Sequence, residues 1–444
     1  MESFLQKNRG ASTYQTIALT FVALIAFGTI LLMLPIASQN GESLSFLNAL
    51  FTATSASCVT GLVVEDTGNY FTVFGQMVII LLIQLGGLGL MTFATLFSVA
   101  VGKKINLQER LRIQESLNES EITGVVKMCL RIFRLTLLIE FIFGTLLAMR
   151  FYGEFGLRGI YYGYWHAVSA FCNAGFDLLG NFDSLTGYVN DIPINLIITS
   201  LIILGSAGFG VIEDIVHTRN FSKFRLHTKL SLVTTLALIV VGTVVIFCLE
   251  SGNTMADLTT GSKWLASYFQ AVTPRTAGFN TLPLDKLRPV SVLFIIVLMF
   301  IGASPASTGG GIKTTTFALT VLSVKNLLQN KHEIVIFDRQ IDQAYVGRAF
   351  VIVAMGISWV VGATLLVANF EPASLQDILF EVVSAFATVG LSTGLSQHVS
   401  DPSKIVLILT MYAGRVGILT FGMALTSKYK PNSIRHPKEK IMIG

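Results

Sequence analysis

The sequence predicts an all-α membrane protein with eight transmembrane helices and four shorter re-entrant helices, arranged as four repeats around a central pore. Three observations carry this expectation. Apolar residues make up 52% of the 444-residue chain and charged residues only 13%. A soluble domain carries about a quarter charged residues, so lipid is the solvent. The lysines and arginines fall on alternate connections between apolar runs, and one short segment recurs four times in register.

The long apolar runs lie near 16–36, 71–101, 130–151, 192–212, 230–249, 290–301, 349–369 and 405–426. The first is too long for the core of a signal peptide and is not followed by a small-residue cleavage site, so it reads as a retained span. Four segments near 46–58, 161–172, 264–274 and 376–387 are too short to cross and too apolar for ordinary loops. Their length predicts that they enter the membrane and turn back.

Lys103, Lys104, Arg110, Arg112, Lys127, Arg131 and Arg134 fill one link; Arg219, Lys223, Arg225 and Lys229 fill the next. Lys325, Lys331, Arg339 and Arg348 follow, and Lys428, Lys430, Arg435, Lys438 and Lys440 end the chain. With Lys7 and Arg9, 22 of the 31 basic residues stand on one side. The positive-inside rule makes that side cytoplasmic, with both termini there, in a multi-pass protein of the cell membrane. Counting the short segments as full spans would reverse the sign of alternate loops. The four cysteines, Cys58, Cys129, Cys172 and Cys248, lack metal-ligand spacing and read as small apolar fillers.

The short segments align at one glycine each: TSASCVTGL (54–62), VSAFCNAGF (168–176), AVTPRTAGF (271–279) and VSAFATVGL (383–391). Gly61, Gly175, Gly278 and Gly390 are separated by 114, 103 and 112 residues. Ten positions earlier stands an aromatic in every copy (Phe51, Trp165, Tyr268, Phe380). Six positions earlier stand Ser55, Ser169 and Ser384, with Val272 in the third copy. A single such segment is noise; four in register define a repeat of span, short helix, glycine loop and span. The repeats divide the chain into 1–102, 103–220, 221–330 (with a broken second span) and 331–444.

Four parallel copies around one axis would aim the carbonyl ends of the short helices at the centre, which favours a cation. The extended backbone beyond each helix must find water or an ion for its carbonyls, and glycine leaves the lumen open. The expected carbonyl-lined filter comprises Val59, Thr60 and Gly61; Asn173, Ala174 and Gly175; Thr276, Ala277 and Gly278; and Thr388, Val389 and Gly390.

On these residues the chain resembles the Trk/Ktr/HKT superfamily of potassium transporters, and within it the membrane subunits of Ktr uptake systems, over essentially its whole length. VTGL, NAGF, TAGF and TVGL stand where a potassium channel has TVGYG. The resemblance implies four M1–P–M2 repeats, one filter glycine in each, and potassium uptake. Members with serine at the first filter glycine tend to admit sodium, and Gly61 stands there in this chain. A sodium-permeable or sodium-coupled transporter of the same superfamily is the alternative. The resemblance also implies a homodimer on a cytosolic RCK ring that binds ATP or ADP, with the tail ending at Gly444 near the dimer interface. No covalent cofactor, nucleotide fingerprint or nucleic-acid partner is expected of the chain itself.

The span beginning near Pro289 is interrupted by GASPASTGGGIKTTT (302–316), which cannot face lipid. The corresponding stretches QLGGLGL (84–90), GSAGFG (205–210) and AGRVG (413–417) read as continuous helix. The interruption is expected to form a gate below the filter, involving Gly302, Ala303, Ser304, Pro305, Thr308, Gly309, Gly310, Gly311 and Lys313. The superfamily resemblance implies an intramembrane loop at this place. Arg415 lies eleven residues into the last apolar run, about 16 Å along a helix. A mid-membrane arginine needs a protein partner, and it is read as a positive barrier beside the gate.

Glu65, Asp66, Asp177 and Asp183 follow the first two glycines and would gather cations at the outer mouth. The mixed-charge links 107–121 and 329–343 read as surface helices able to dock a protein. Alternating access is disfavoured because the repeats share one orientation and no mid-span carboxylate stands out for proton coupling. An intramembrane enzyme built on His166 and Ser55, Ser169 and Ser384 lacks a matching nucleophile arrangement.

Overall fold

In the computed structural model, residues 13–100, 109–111, 114, 124–331 and 333–418 are described. The expected cytoplasmic position of both termini, the basic cluster 428–440 and nearly all of the link 107–121 lie outside the described residues.

Each repeat opens with a long helix and folds back through a short one. The first contains α1 (Thr13–Leu32), α2 (Phe46–Ser57), α3 (Val73–Leu88) and α4 (Leu90–Ala100). The second contains α5 (Val125–Phe155), α6 (Leu157–Phe171), α7 (Ile192–Ser206) and α8 (Phe209–Thr218). The third contains α9 (Leu226–Glu250), α10 (Thr260–Val272), α11 (Pro289–Phe300) and α12 (Thr314–Leu328). A hairpin of β1 (Ile334–Ile336) and β2 (Arg339–Ile341) leads to the fourth: α13 (Gln343–Ala368), α14 (Leu375–Ala387) and α15 (Asp401–Val416).

Among the described residues, α1, α5, α9 and α13 are the unbroken helices long and apolar enough to cross a bilayer. Three of the four short helices start where a side-chain oxygen satisfies a free N–H: Ser45 caps α2, Thr259 caps α10 and Ser374 caps α14, whereas α6 starts at Gly156 without a side-chain cap. Each packs on the first helix of its own repeat. The second helix of each repeat packs on the short helix of the next: α3 on α6, α7 on α10, α11 on α14, and α15 back on α2. The chain thereby closes into a ring of four.

The second helices correct the expectation of continuity. All four break. α3 runs 16 residues, about 24 Å, short of a hydrocarbon core of about 30 Å. It ends at Gly89 (φ 83°, ψ 132°), and Gly208 (φ 93°, ψ 134°) and Gly417 (φ 91°, ψ 127°) end α7 and α15 at the same count from the helix start. These dihedrals are open to glycine and costly for any residue with a Cβ. The turn at Gly208 swings α8 through 98° relative to α7. In the third repeat the same count from Pro289 falls on Pro305, within the long loop.

A second correction concerns 329–343. The segment forms a two-stranded antiparallel hairpin, with Ile334 opposite Ile341, and not a surface helix. Its β-branched run and the positive φ of Phe337 (49°) and Asp338 (60°) suit a tight hairpin turn.

Candidate ion pathway

The loops after the four short helices share one backbone conformation. The residue two before each glycine has positive φ: Val59 58°, Asn173 60°, Thr276 68° and Thr388 50°. The glycines follow at 94°, 72°, 80° and 90° for Gly61, Gly175, Gly278 and Gly390. This alternation turns successive carbonyls toward one side, and every repeat adopts it.

The four glycines meet. A methyl group placed on Gly61 would strike the Ala174 carbonyl oxygen, and one on Gly175 would lie 2.8 Å from that of Ala277. One on Gly278 would lie 2.6 Å from the Val389 oxygen, and one on Gly390 would strike the Thr60 oxygen. Each glycine thus faces the carbonyl of the residue preceding the next glycine, and the fourth returns to the first. Thr60, Ala174, Ala277 and Val389 are fully buried.

The serines six positions before the glycines brace these loops. Ser55 Oγ accepts from the Gly61 N–H at 3.1 Å and Ser384 Oγ from the Gly390 N–H at 3.0 Å. Ser169 Oγ donates to the Phe176 carbonyl at 2.7 Å. Val272 cannot do this in the third repeat, and the neighbouring Thr273 hydroxyl donates to the Phe279 carbonyl instead. Behind that loop Arg275 is buried, with Nη2 donating to Thr235 Oγ1 at 3.1 Å. The Asn173 amide bridges repeats two and three: Oδ1 accepts from the Thr276 hydroxyl at 3.3 Å while Nδ2 donates to the Ala170 carbonyl at 3.0 Å. His166 is a brace within the second repeat. Its Nδ1 donates to the Tyr162 carbonyl at 2.7 Å and its Nε2 accepts from the Leu178 N–H at 3.3 Å.

Directly against this ring lies the loop between α11 and α12. Gly309 abuts the Thr276 hydroxyl, and Gly310 abuts that of Thr388, so closely that neither position has room for a methyl group. The two ends of the loop are held together by Gly302 N–H to Ile312 O (2.8 Å) and Thr314 N–H to Ala303 O (3.2 Å). It is also held to the second repeat: Thr308 Oγ1 donates to Phe171 O (3.2 Å), Thr308 N–H to Gly205 O (3.2 Å) and Ser304 N–H to Ser206 O (3.0 Å). The Phe209 N–H donates to Ala306 O at 2.8 Å, joining the loop to the start of α8. Ser304 Oγ shares a 2.6 Å hydrogen bond with Ser231 Oγ of α9.

Arg415 crosses from the fourth repeat. Nη1 donates to the Thr308 carbonyl of the loop, and Nη2 donates to the carbonyls of Gly86 and, at 3.2 Å, Gly87 in the first repeat. Lys313 Nζ donates back to Gly309 O at 2.7 Å, which places it under the glycine run. Ring and loop therefore join all four repeats at one point.

On the outer side a cavity of about 70 Å³ opens from the four glycines, with Asp66 and Asp177 in its wall. Glu65 faces sideways, where Oε1 accepts from Asn48 Nδ2 at 3.0 Å; Asp183 is exposed and outside the cavity wall. Asp177 sits in the link leading outward. Burial pushes its pKa up to about 7; the Leu179 and Gly180 N–H groups pull it down and the Asp66 and Asp183 charges add to the rise.

Two acids escaped the sequence reading. Glu381 of α14 is fully buried and accepts from Ser396 Oγ at 2.6 Å and from the Thr393 N–H at 3.2 Å, organising the fourth loop. Glu140 lies midway along α5, only 6% exposed, and Gln84 Nε2 donates to its two oxygens at 3.0 and 3.1 Å. It is a mid-span carboxylate, held by a neutral amide, that the sequence reading did not single out. One glutamate within a long apolar run carries no periodic signal; only the facing Gln84, 56 residues away, explains it.

The comparisons with known proteins come to the same architecture. The cation transport protein family TrkH matches residues 3–433. The chain belongs to this family. It is 43% identical over 433 residues to the Ktr system potassium uptake protein B of Bacillus subtilis, covering 97% of this chain and 96% of that one. It is 38% identical to the protein of the same name from Vibrio alginolyticus, covering 96% and 94%. It is also 38% identical to the potassium/sodium uptake protein NtpJ of Enterococcus hirae, covering 98% and 97%. The crystal structure of the potassium transporter TrkH from Vibrio parahaemolyticus superposes with a TM-score of 0.73 at 19% identity, covering 95% of this chain and 86% of that one, which shows a common fold. The family's fold of four M1–P–M2 repeats is the one described above, and the chain is a multi-pass membrane transport protein.

Proposed function

We propose that the protein takes potassium into the cell through the ring of Gly61, Gly175, Gly278 and Gly390, under control of the loop at 302–313. The closure of that ring, each glycine facing the next repeat's carbonyl, is the observation that carries this reading. Four equivalent carbonyl rows can replace the hydration shell of a monovalent cation. The inside-negative potential contributes about 2.3 kcal/mol per charge per 100 mV, enough to drive uptake without a coupled reaction in this chain.

The loop lies immediately inside the ring and supports the role of gate. Arg415 adds positive charge on the same path and holds the loop to the first and fourth repeats. We read each of the units 1–102, 103–220, 221–330 and 331–444 as supplying one quarter of the filter, with both termini cytoplasmic in the plasma membrane. The "Ktr system" names of two relatives support a multi-component assembly. We infer a homodimer on a cytosolic RCK ring, through which alone ATP or ADP acts.

The test is rescue of a potassium-requiring cell, with uptake measured under potassium and sodium competition. Rescue that millimolar sodium leaves intact supports potassium selectivity. The potassium/sodium name of the Enterococcus hirae relative favours a second reading, in which sodium also passes; equal competition by sodium would establish it.

A further inference from the structure

A groove of about 290 Å³ lies between α5 and α8, away from the ring, and its two ends differ in chemistry. Leu135, Leu138, Phe209 and Val216 supply an apolar floor, while Arg131, Arg134 and His217 stand around it. Depth along α5 explains the arrangement. Arg150 pairs with Asp191 at 2.5 Å near the outer end of the helix. About 20 residues, one hydrocarbon thickness, separate it from the level of Arg131. Arg131 and Arg134 therefore stand at the inner headgroup level, with Leu135 and Leu138 just inside the acyl region. Lys127, Arg131 and Arg134 also recur at helical spacing on one exposed face of α5.

We propose that this groove binds one anionic phospholipid of the cytoplasmic leaflet, with an acyl chain on the apolar floor and the phosphate at Arg134 and Arg131. Arg134 makes no hydrogen bond or ion pair among the described residues and stays available to a phosphate. Arg131 Nη1 contacts Glu213 Oε1 at 2.5 Å, which fixes its guanidinium at the groove and leaves its other donors for the ligand. Glu213 is the one acid among the described residues of the wall, and its charge is neutralised by that pair. A neutral headgroup would leave the positive face uncompensated, so charge complementarity selects an anionic lipid.

The site touches the pathway. Phe209, on the groove floor, is the residue whose N–H donates to the Ala306 carbonyl of the 302–313 loop. A lipid chain seated against Phe209 bears on the hinge at Gly208 and hence on the loop. This second step rests on the gate reading above; the binding step does not.

The test reconstitutes the full chain in phosphatidylcholine, with and without phosphatidylglycerol, and measures both thermal stability and lipid retained in native mass spectra. A basic residue near the surface is worth about 1 kcal/mol toward anionic lipid, so R134Q should weaken retention about five-fold and R131Q/R134Q up to about thirty-fold. L138W, which fills the floor without changing charge, should displace the lipid as well, while K223Q on a neighbouring link should retain it. Phosphatidylglycerol stabilisation that survives R134Q and L138W undiminished overturns the site in favour of diffuse surface attraction. Loss of a protein contact in these variants, with lipid retention unchanged, overturns it in favour of a docking face. If lipid is retained as expected but flux does not respond to it, the binding stands and the link to the loop fails.

Discussion

The glycine ring and the loop beneath it are built on opposite principles. The ring is four-fold: the same positive-φ pair and the same neighbour contact recur in each repeat, each loop is braced by a nearby hydroxyl, and backbone supplies the chemistry. The loop is unique to the third repeat and lopsided, bonded to the second repeat by main chain and the Thr308 hydroxyl and to the fourth through one arginine. On the proposed function, the ring presents an ion with equal ligands on all sides, which symmetry serves, and the loop is a control released from one side, which an asymmetric plug with few side-chain anchors serves. Gene repetition explains the first region; the second needed the repeats to diverge.

The largest effect expected from breaking this contrast is at the ring. Gly278→Ala places a methyl group 2.6 Å from the Val389 carbonyl oxygen at a backbone φ of 80°. Strain and overpacking of about 3 kcal/mol or more predict a loss of potassium uptake of at least about a hundred-fold at normal expression. Retained uptake would mean that the ring is not the path.

Breaking the asymmetric region should act in the other direction. Arg415→Ala removes its bonds to Thr308, Gly86 and Gly87 together with the positive charge, and should raise uptake about tenfold. Deletion of Gly309 to Gly311 should raise flux and weaken its control. Lower uptake of Arg415→Ala at normal expression, or unchanged flux in the deletion, would turn the loop into a mere kink.

The outer mouth sharpens the comparison with a smaller effect. Asp177 titrates near pH 7, so lowering external pH from about 8 to about 6 neutralises it and should reduce uptake at low potassium by about two- to three-fold. Asp177→Asn should begin at the lower rate and lose the pH step. A pH step that persists in the variant would assign it to another group.

Smallest of all should be Glu140→Gln. Gln84 still reaches the new side chain, and among the described residues Glu140 meets the second filter loop only through Gln84, whose Oε1 accepts from Cys172 Sγ at 3.3 Å. Uptake should stay within about two-fold, measured with and without an imposed proton gradient. Loss of a proton-gradient dependence seen in the unaltered protein would revive coupling through this carboxylate.

What the sequence revealed follows the same contrast. Repetition made the four glycines, the serines and the short helices legible, because four weak signals in register reinforce one another. Arg415 was legible because a charge amid apolar residues is conspicuous, although nothing in the sequence named Gly86 and Gly87 as its acceptors. The helix breaks at Gly89, Gly208 and Gly417 were hidden by apolar surroundings, since composition does not report a single left-handed dihedral. The hairpin at 334–341 was misread because its charges suited a helix, while its β-branched run and turn decided the outcome. Glu140 depended on a long-range partner.

The central claim is that carbonyls from four equivalent turns gather on one axis and hold the ion. Anomalous scattering from rubidium- or thallium-loaded crystals tests it most directly. The account predicts a peak on the axis, about equally distant from the carbonyl oxygens of Thr60, Ala174, Ala277 and Val389. Ions bound elsewhere in the protein, with that axis empty under conditions that support transport, would contradict it.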